Sequence, residues 1–133
     1  MTVRDSLVGL DGLFVVFEGV DGAGTTTQSE RWAALLRGKK RMVHVTREPS
    51  TGPVGSLIRL VLTERVSLPA NSSETMALLF AADRLDHLSC EVAPLLRDGY
   101  VVISDRYDLS SLTYQTATAD DEKTAIVCVR ELN

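Results

Sequence analysis

The chain lacks the compositions that would direct it to a polyanion, a bilayer or an oxidising compartment. Its 14 Lys and Arg are outnumbered by 18 Asp and Glu, for a formal charge of −4. There is no basic excess to attract a nucleic-acid backbone, so any phosphate it binds must be small and met locally. It has only two cysteines, Cys90 and Cys128, with no C-x-x-C pair and no histidine at metal-ligand spacing. Neither a disulfide framework nor a zinc site is indicated, and both thiols read as buried or idle. No apolar run is long enough to cross a bilayer, and the opening arm, residues 1–12, carries Asp5 and Asp11 where a secretory leader would be apolar. A reducing, cytoplasmic setting is the expectation. There is no internal repeat and no low-complexity linker, and 133 residues, 44% of them hydrophobic, suffice for one core but hardly two.

What is present is an alternation of strand-like and helical runs, the pattern of a parallel sheet covered by helices on both faces. The first strand is expected over Leu13–Glu18, followed by a helix over Thr25–Arg37 that Gly38 ends, with Lys39 and Lys40 beside its negative end. Arg41–Thr46 reads as a second strand. The turn-rich stretch Glu48–Pro53 leads to a short helix near Val54–Thr63, and a long helical pattern runs from the Ser-rich start after Asn71 to about Leu96, with Pro94 as a place to bend. Tyr100–Ser104 is the third strand, and two further helices are expected over Leu109–Thr116 and Asp121–Leu132.

On the long helix, Leu78, Ala82, Leu85, Val92 and Leu96 recur at near-heptad spacing and are expected to face the sheet. Phe80, Asp83, Arg84 and His87 then fall on the opposite side. An aromatic ring one turn from an arginine suits a pocket that stacks a base, whereas Asp83 and His87 read as bland surface.

Two motifs carry chemistry. Gly19 to Thr26 read G-V-D-G-A-G-T-T between the first strand and the first helix, the setting of a phosphate-binding loop. Gly19, Gly22 and Gly24 let the backbone turn tightly and aim successive N–H groups at anionic oxygens, with Ala23, Thr25 and Thr26 also expected at the phosphates, and the helix N-terminus adds partial positive charge. The Thr26 hydroxyl falls where such loops contact magnesium, but Thr25 stands where they carry lysine. The third strand ends in Asp105-Arg106-Tyr107, which puts a carboxylate and a guanidinium at the carboxyl edge of the sheet. Asp105 suits magnesium and Arg106 a phosphate, with an Asp105–Arg106 ion pair as the structural alternative.

Four further stretches complete the pattern: T-R-E-P at Thr46–Pro49, G-S-L-I-R at Gly55–Arg59, E-T-M-A-L-L-F-A-A-D-R-L-D-H at Glu74–His87, and D-R-Y-D-L-S-S-L-T-Y-Q at Asp105–Gln115. Together with F-E-G-V-D-G-A-G-T-T-T-Q at Phe17–Gln28, in this order and spacing, they make the chain resemble the thymidylate kinases, P-loop nucleoside monophosphate kinases. The resemblance implies an α/β, three-layer P-loop NTPase fold with a parallel sheet, truncated after the third strand. Residues 13–133 would form a partial kinase domain behind the arm. It also implies transfer of a phosphoryl group from ATP to dTMP with Mg2+, giving dTDP and ADP. A degenerate nucleotide-binding module or inactive fragment that binds dTMP without turnover is the alternative.

Carried over residue by residue, Asp21 resembles the carboxylate that accepts the 3′-hydroxyl of dTMP. Phe80 matches the ring stacked on thymine, and Arg84 the arginine at the base edge. Arg59 and Arg106 match the pair on the 5′-phosphate, Ser111 and Gln115 the polar positions lining the base, and Tyr114 the ring against the sugar. Asp105 matches the carboxylate on the magnesium side, with Thr26 the hydroxyl, and Glu48 and Pro49 match the loop beside the acceptor, with a structural turn as the alternative. Family members continue past the position of Asn133 with an arginine-bearing lid and further strands, which would leave the first strand with an unpaired apolar edge. They also form homodimers. No nucleic acid or membrane partner is implied.

Overall fold

Val101, Val102, Ile103 and Ser104 are consecutive and all buried, which requires a strand covered on both faces and both edges. The computed structural model describes residues 11–68 and 72–107. In it the element order is β1 (Leu13–Phe17), α1 (Thr25–Gly38), β2 (Val43–Arg47), α2 (Pro53–Leu62), α3 (Ser72–His87), a π-helical turn (Leu88–Val92), α4 (Ala93–Arg97) and β3 (Val101–Asp105). The sheet order is β1-β3-β2, with both pairings parallel. Leu13 and Val43 flank Val101, and Phe17 and Arg47 flank Asp105, so the three strands end level at one edge.

The described residues fall into two compact units, one holding 11–47 with 87–107 and the other 48–86. In the first, the period-2 alternation of β3 divides its side chains between two layers. Val101 and Ile103 pack with Ala33 of α1 and Val43 of β2, while Val102 packs with Val92 and Leu96. Burying one such aliphatic side chain contributes roughly 1.5–3 kcal/mol, so β3 is the anchor on which the sheet edge rests. Among the described residues β1 lies at one edge of the sheet, with Leu13 53% and Val16 36% exposed.

Three expectations are corrected. The left-handed residue that closes α1 is Lys40, at φ 59°, and Gly38 is the last helical residue. Of the expectation that the thiols are buried or idle, burial fails at Cys90, which is exposed, and Cys128 lies outside the described residues, as do the two helices expected beyond Asp108. The face of α3 is inverted. Leu78 and Leu85 are 54% and 52% exposed and Ala82 is exposed, whereas Asp83, Arg84 and His87 are buried.

The regular helix also ends at His87, and the wide turn that follows carries Cys90, the residue whose carbonyl the Pro94 ring would strike four positions on. Each turn with an extra residue shifts the helical phase, so one stripe cannot run from Leu78 to Leu96. Its later part, Val92 and Leu96, packs with Val102 of β3.

Both histidines of the chain meet one carboxylate beside β2. His44 Nε2 lies 2.7 Å from Glu91 Oε1, and His87 Nε2 lies 2.8 Å from Thr46 Oγ1 and 3.9 Å from Glu91 Oε2. Burial pushes the Glu91 carboxyl up, but hydrogen bonds from His44 and Thr46 and the nearby His charges outweigh it, so its pKa sits below 4.5. A carboxylate with a lowered folded pKa stabilises fully above its unfolded value, and that contribution is lost as pH falls through the folded one. Glu91→Gln is therefore expected to cost stability above pH 4.5 and to remove part of the acid-side loss below it. Urea unfolding midpoints between about pH 3 and 6 measure this. Parallel curves for the two proteins would refute it.

Candidate functional site

In the first unit, β1 delivers the chain into the phosphate loop and α1 takes it out. Gly22 and Gly24 have φ 80° and 82° with no atom within 4 Å of an added Cβ, so the requirement for glycine there is conformational. Gly24 is also the N-cap of α1. It has no side chain to fold back on the first amides, and no acidic residue stands in the first turn. The N–H groups at this end are thus left for an anion, with the helix field aligned behind them. Thr25 is half-buried at the start of the helix and carries no charge.

The end of β3 comes up against this loop. The Thr26 hydroxyl donates to Asp105 Oδ2 at 2.5 Å, while Asp105 Oδ1 is buried with no hydrogen-bond partner among the described residues. A buried, unfilled carboxylate oxygen is costly to keep. One hydroxyl and one carboxylate form the hard, oxygen-only donor set that magnesium takes when nucleotide phosphates and water supply the remainder. These residues therefore fit the ion.

Arg106 follows with φ 74°, a left-handed backbone that a side-chain-bearing residue adopts at a cost on the order of 1–3 kcal/mol. Its N–H donates to Phe17 O at 2.9 Å and its carbonyl accepts from Ser104 Oγ at 2.7 Å, which hold it there. Its guanidinium donates to Asp21 Oδ1 at 2.6 Å. Asp105 is thus paired with Thr26, and the neighbouring Arg106 with Asp21, in place of the Asp105–Arg106 cap. The Asp21 side chain is 70% exposed, and a contact so wet is worth roughly 0–1 kcal/mol, so an incoming anion could exchange with it. Glu18, which the sequence pattern did not single out, accepts the Tyr107 N–H at 2.8 Å and fixes the backbone beyond Arg106.

In the second unit, α2 and α3 hold the other candidates around the loop that starts at Glu48. Arg59 Nη2 donates to Pro49 O at 2.5 Å. Arg84 is 6% exposed, and its Nε donates to Glu48 Oε2 at 3.3 Å. Phe80, one turn earlier on α3, is half-buried. Asp83, expected at the surface, is 1% exposed and accepts two hydrogen bonds from Ser50. Buried polar side chains persist where such partners exist, which is why hydrophobic periodicity misassigned this face. Ser111, Tyr114 and Gln115 lie outside the described residues.

A family description, thymidylate kinase, matches residues 17–131. The chain is 50% identical over 108 residues to the thymidylate kinase of Bifidobacterium longum strain NCC 2705, an alignment covering 80% of this chain and 52% of that protein. It is 44% identical over 112 residues to the probable thymidylate kinase of Pyrococcus horikoshii, covering 83% and 55%. With the probable thymidylate kinase of Thermococcus gammatolerans it shares 49% identity over 115 residues, again covering 83% and 55%. The chain spans about half the length of the curated relatives it matches.

Proposed function

The chain belongs to the thymidylate kinase family, and from that premise we propose that it serves transfer of the ATP γ-phosphoryl group to dTMP, forming dTDP and ADP. The observation that carries this reading is the junction of loop and strand: an uncapped helix N-terminus beside a Thr26–Asp105 pair with one carboxylate oxygen unfilled. Backbone amides of Gly19, Gly22, Gly24, Thr25 and Thr26 bind the donor phosphates, whereas the Ala23 N–H, expected among them, donates to Val20 O at 3.0 Å. Thr26 and Asp105 would hold Mg2+, which when bound would supply positive charge against the phosphoryl oxygens. Asp21 accepts the 3′-hydroxyl of dTMP and so orients the sugar, and Arg106 binds its 5′-phosphate together with Arg59. Phe80 stacks on thymine, Arg84 reads the base edge, and Ser111, Tyr114 and Gln115 complete the acceptor residues. Catalysis here is positioning and electrostatics, with little covalent work for side chains. A domain over 13–133 behind an N-terminal arm, a homodimer and a cytoplasmic location belong to the same proposal.

Thr25 favours one second reading. Without a cation at that position, binding suffers less than transfer, as in a module that holds nucleotide without turnover. Incubation of the full chain with ATP, dTMP and Mg2+ separates the two. Equal amounts of dTDP and ADP, with ADP formation dependent on dTMP, are the expected result. Saturable dTMP binding with no dTDP formed would overturn the kinase reading in favour of the module.

A further inference from the structure

We infer that Asp83 is a positioning residue for the acceptor arginines: by holding both donors of Ser50 it sets the Glu48–Pro49–Ser50 turn against which Arg59 and Arg84 are placed. The functional part of this inference rests on the dTMP reading of that cluster. Asp83 Oδ2 accepts the Ser50 backbone N–H at 2.7 Å, and Oδ1 accepts the Ser50 hydroxyl at 2.5 Å. Ser50 Oγ in turn accepts the Gly52 N–H at 3.0 Å, which closes the turn ahead of α2. The two residues before Ser50 each engage one arginine, Pro49 through its carbonyl to Arg59 and Glu48 through its carboxylate to Arg84.

Steric evidence shows that this is the seat of α2. A Cβ on Gly55 would come within 2.1 Å of Ser50 O, 2.7 Å of Ser50 N and 2.8 Å of Asp83 Oδ1. The helix that carries Arg59 therefore rests on the Ser50–Asp83 pair itself, one turn from that arginine. On α3, Asp83 adjoins Arg84 and lies three residues from Phe80, so the element that presents the ring also carries the clamp. A carboxylate this buried is tolerated only with its lone pairs filled, and the Ser50 N–H and hydroxyl each fill one oxygen.

The test uses the full chain and two substitutions. Asp83→Ala strips both acceptors from Ser50 and is expected to raise the KM for dTMP roughly 10–100-fold, with the KM for ATP within about 2-fold. Asp83→Asn still accepts from the Ser50 N–H and still meets the hydroxyl, so it restores most of that loss. A role in global stability alone would lower yield or kcat with both KM values unmoved, and that pattern overturns the inference.

Nitrogen-15 spectra of the ligand-free chain decide the point independently of dTMP and of whether Asp83→Ala folds. In Ser50→Ala, which removes the hydroxyl that links Asp83 to the Gly52 amide, the Arg59 and Arg84 side-chain N–H resonances are expected to move together with the Gly52 amide, and in Asp83→Asn, which keeps the clamp, they are expected to stay close to their native positions. Arginine resonances unmoved in Ser50→Ala would overturn the inference. Failure of the unsubstituted chain to bind dTMP would sink the acceptor reading instead, and the arginine resonances would still decide the positioning.

Discussion

Asp105→Ala is expected to lower the rate of dTMP-dependent ADP formation on the order of 10²–10³-fold, the scale seen when one preorganised contact to the developing charge is removed. On the proposed reading the carboxylate would have two tasks: it accepts from the Thr26 hydroxyl, and its second, buried oxygen, without a hydrogen-bond partner among the described residues, would be offered to the ion. Affinity for dTMP should stay within about 2-fold, because the side-chain partner of Asp105 among the described residues is Thr26, on the donor side of the proposed site. Folding is expected to be almost unaffected. A buried carboxylate oxygen without a donor is a liability to the folded state, and its removal offsets the lost hydrogen bond from Thr26. A thermal midpoint lowered by many degrees, with rate and dTMP affinity falling together, would instead make Asp105 a structural residue.

Thr25→Lys works in the opposite direction and is expected to raise the turnover number by a comparable 10²–10³-fold. In loops of this type the lysine reaches the β- and γ-phosphates, so its charge acts where negative charge shifts during transfer. Thr25 offers a hydroxyl at most, and the helix terminus behind it supplies only about half a unit of positive charge. A lysine at this end opposes that field, so the variant should lose about 0.3–1 kcal/mol of stability while gaining activity. Activity and stability moving apart distinguish a catalytic gain from better folding. Thr25→Met supplies side-chain length without charge and should give no gain. If Thr25→Lys is no faster than the native chain, a cation elsewhere already performs this task, and Thr25 is no impairment.

The features legible in the sequence were those written locally. The phosphate loop needs glycines, a preceding apolar strand and a following helix, all within Leu13 to Gly38, and the structure places them as read. The third strand was legible because its apolar run ends in Asp-Arg, and the sheet edge follows from that. The polar side of α3 was misread because its warrant lies elsewhere in the chain. Asp83 is buried through Ser50, 33 residues away, and Arg84 through Glu48, 36 away. Periodicity scores a carboxylate as solvent-facing and cannot register a partner in a loop. The same holds for Glu91, whose partners His44 and Thr46 stand on β2 and are unremarkable in sequence. The widened turn at 88–92 broke a stripe that a single ideal helix would have kept in phase.

The acceptor residues remain the claim on which the assignment turns, and calorimetric titration of dTMP into the full chain tests them most directly. The predicted result is saturable single-site heat from the native chain, weakened roughly 10-fold or more by Phe80→Ala because the stacking surface is gone. No heat from the native chain, or the same affinity with and without the Phe80 ring, would contradict it.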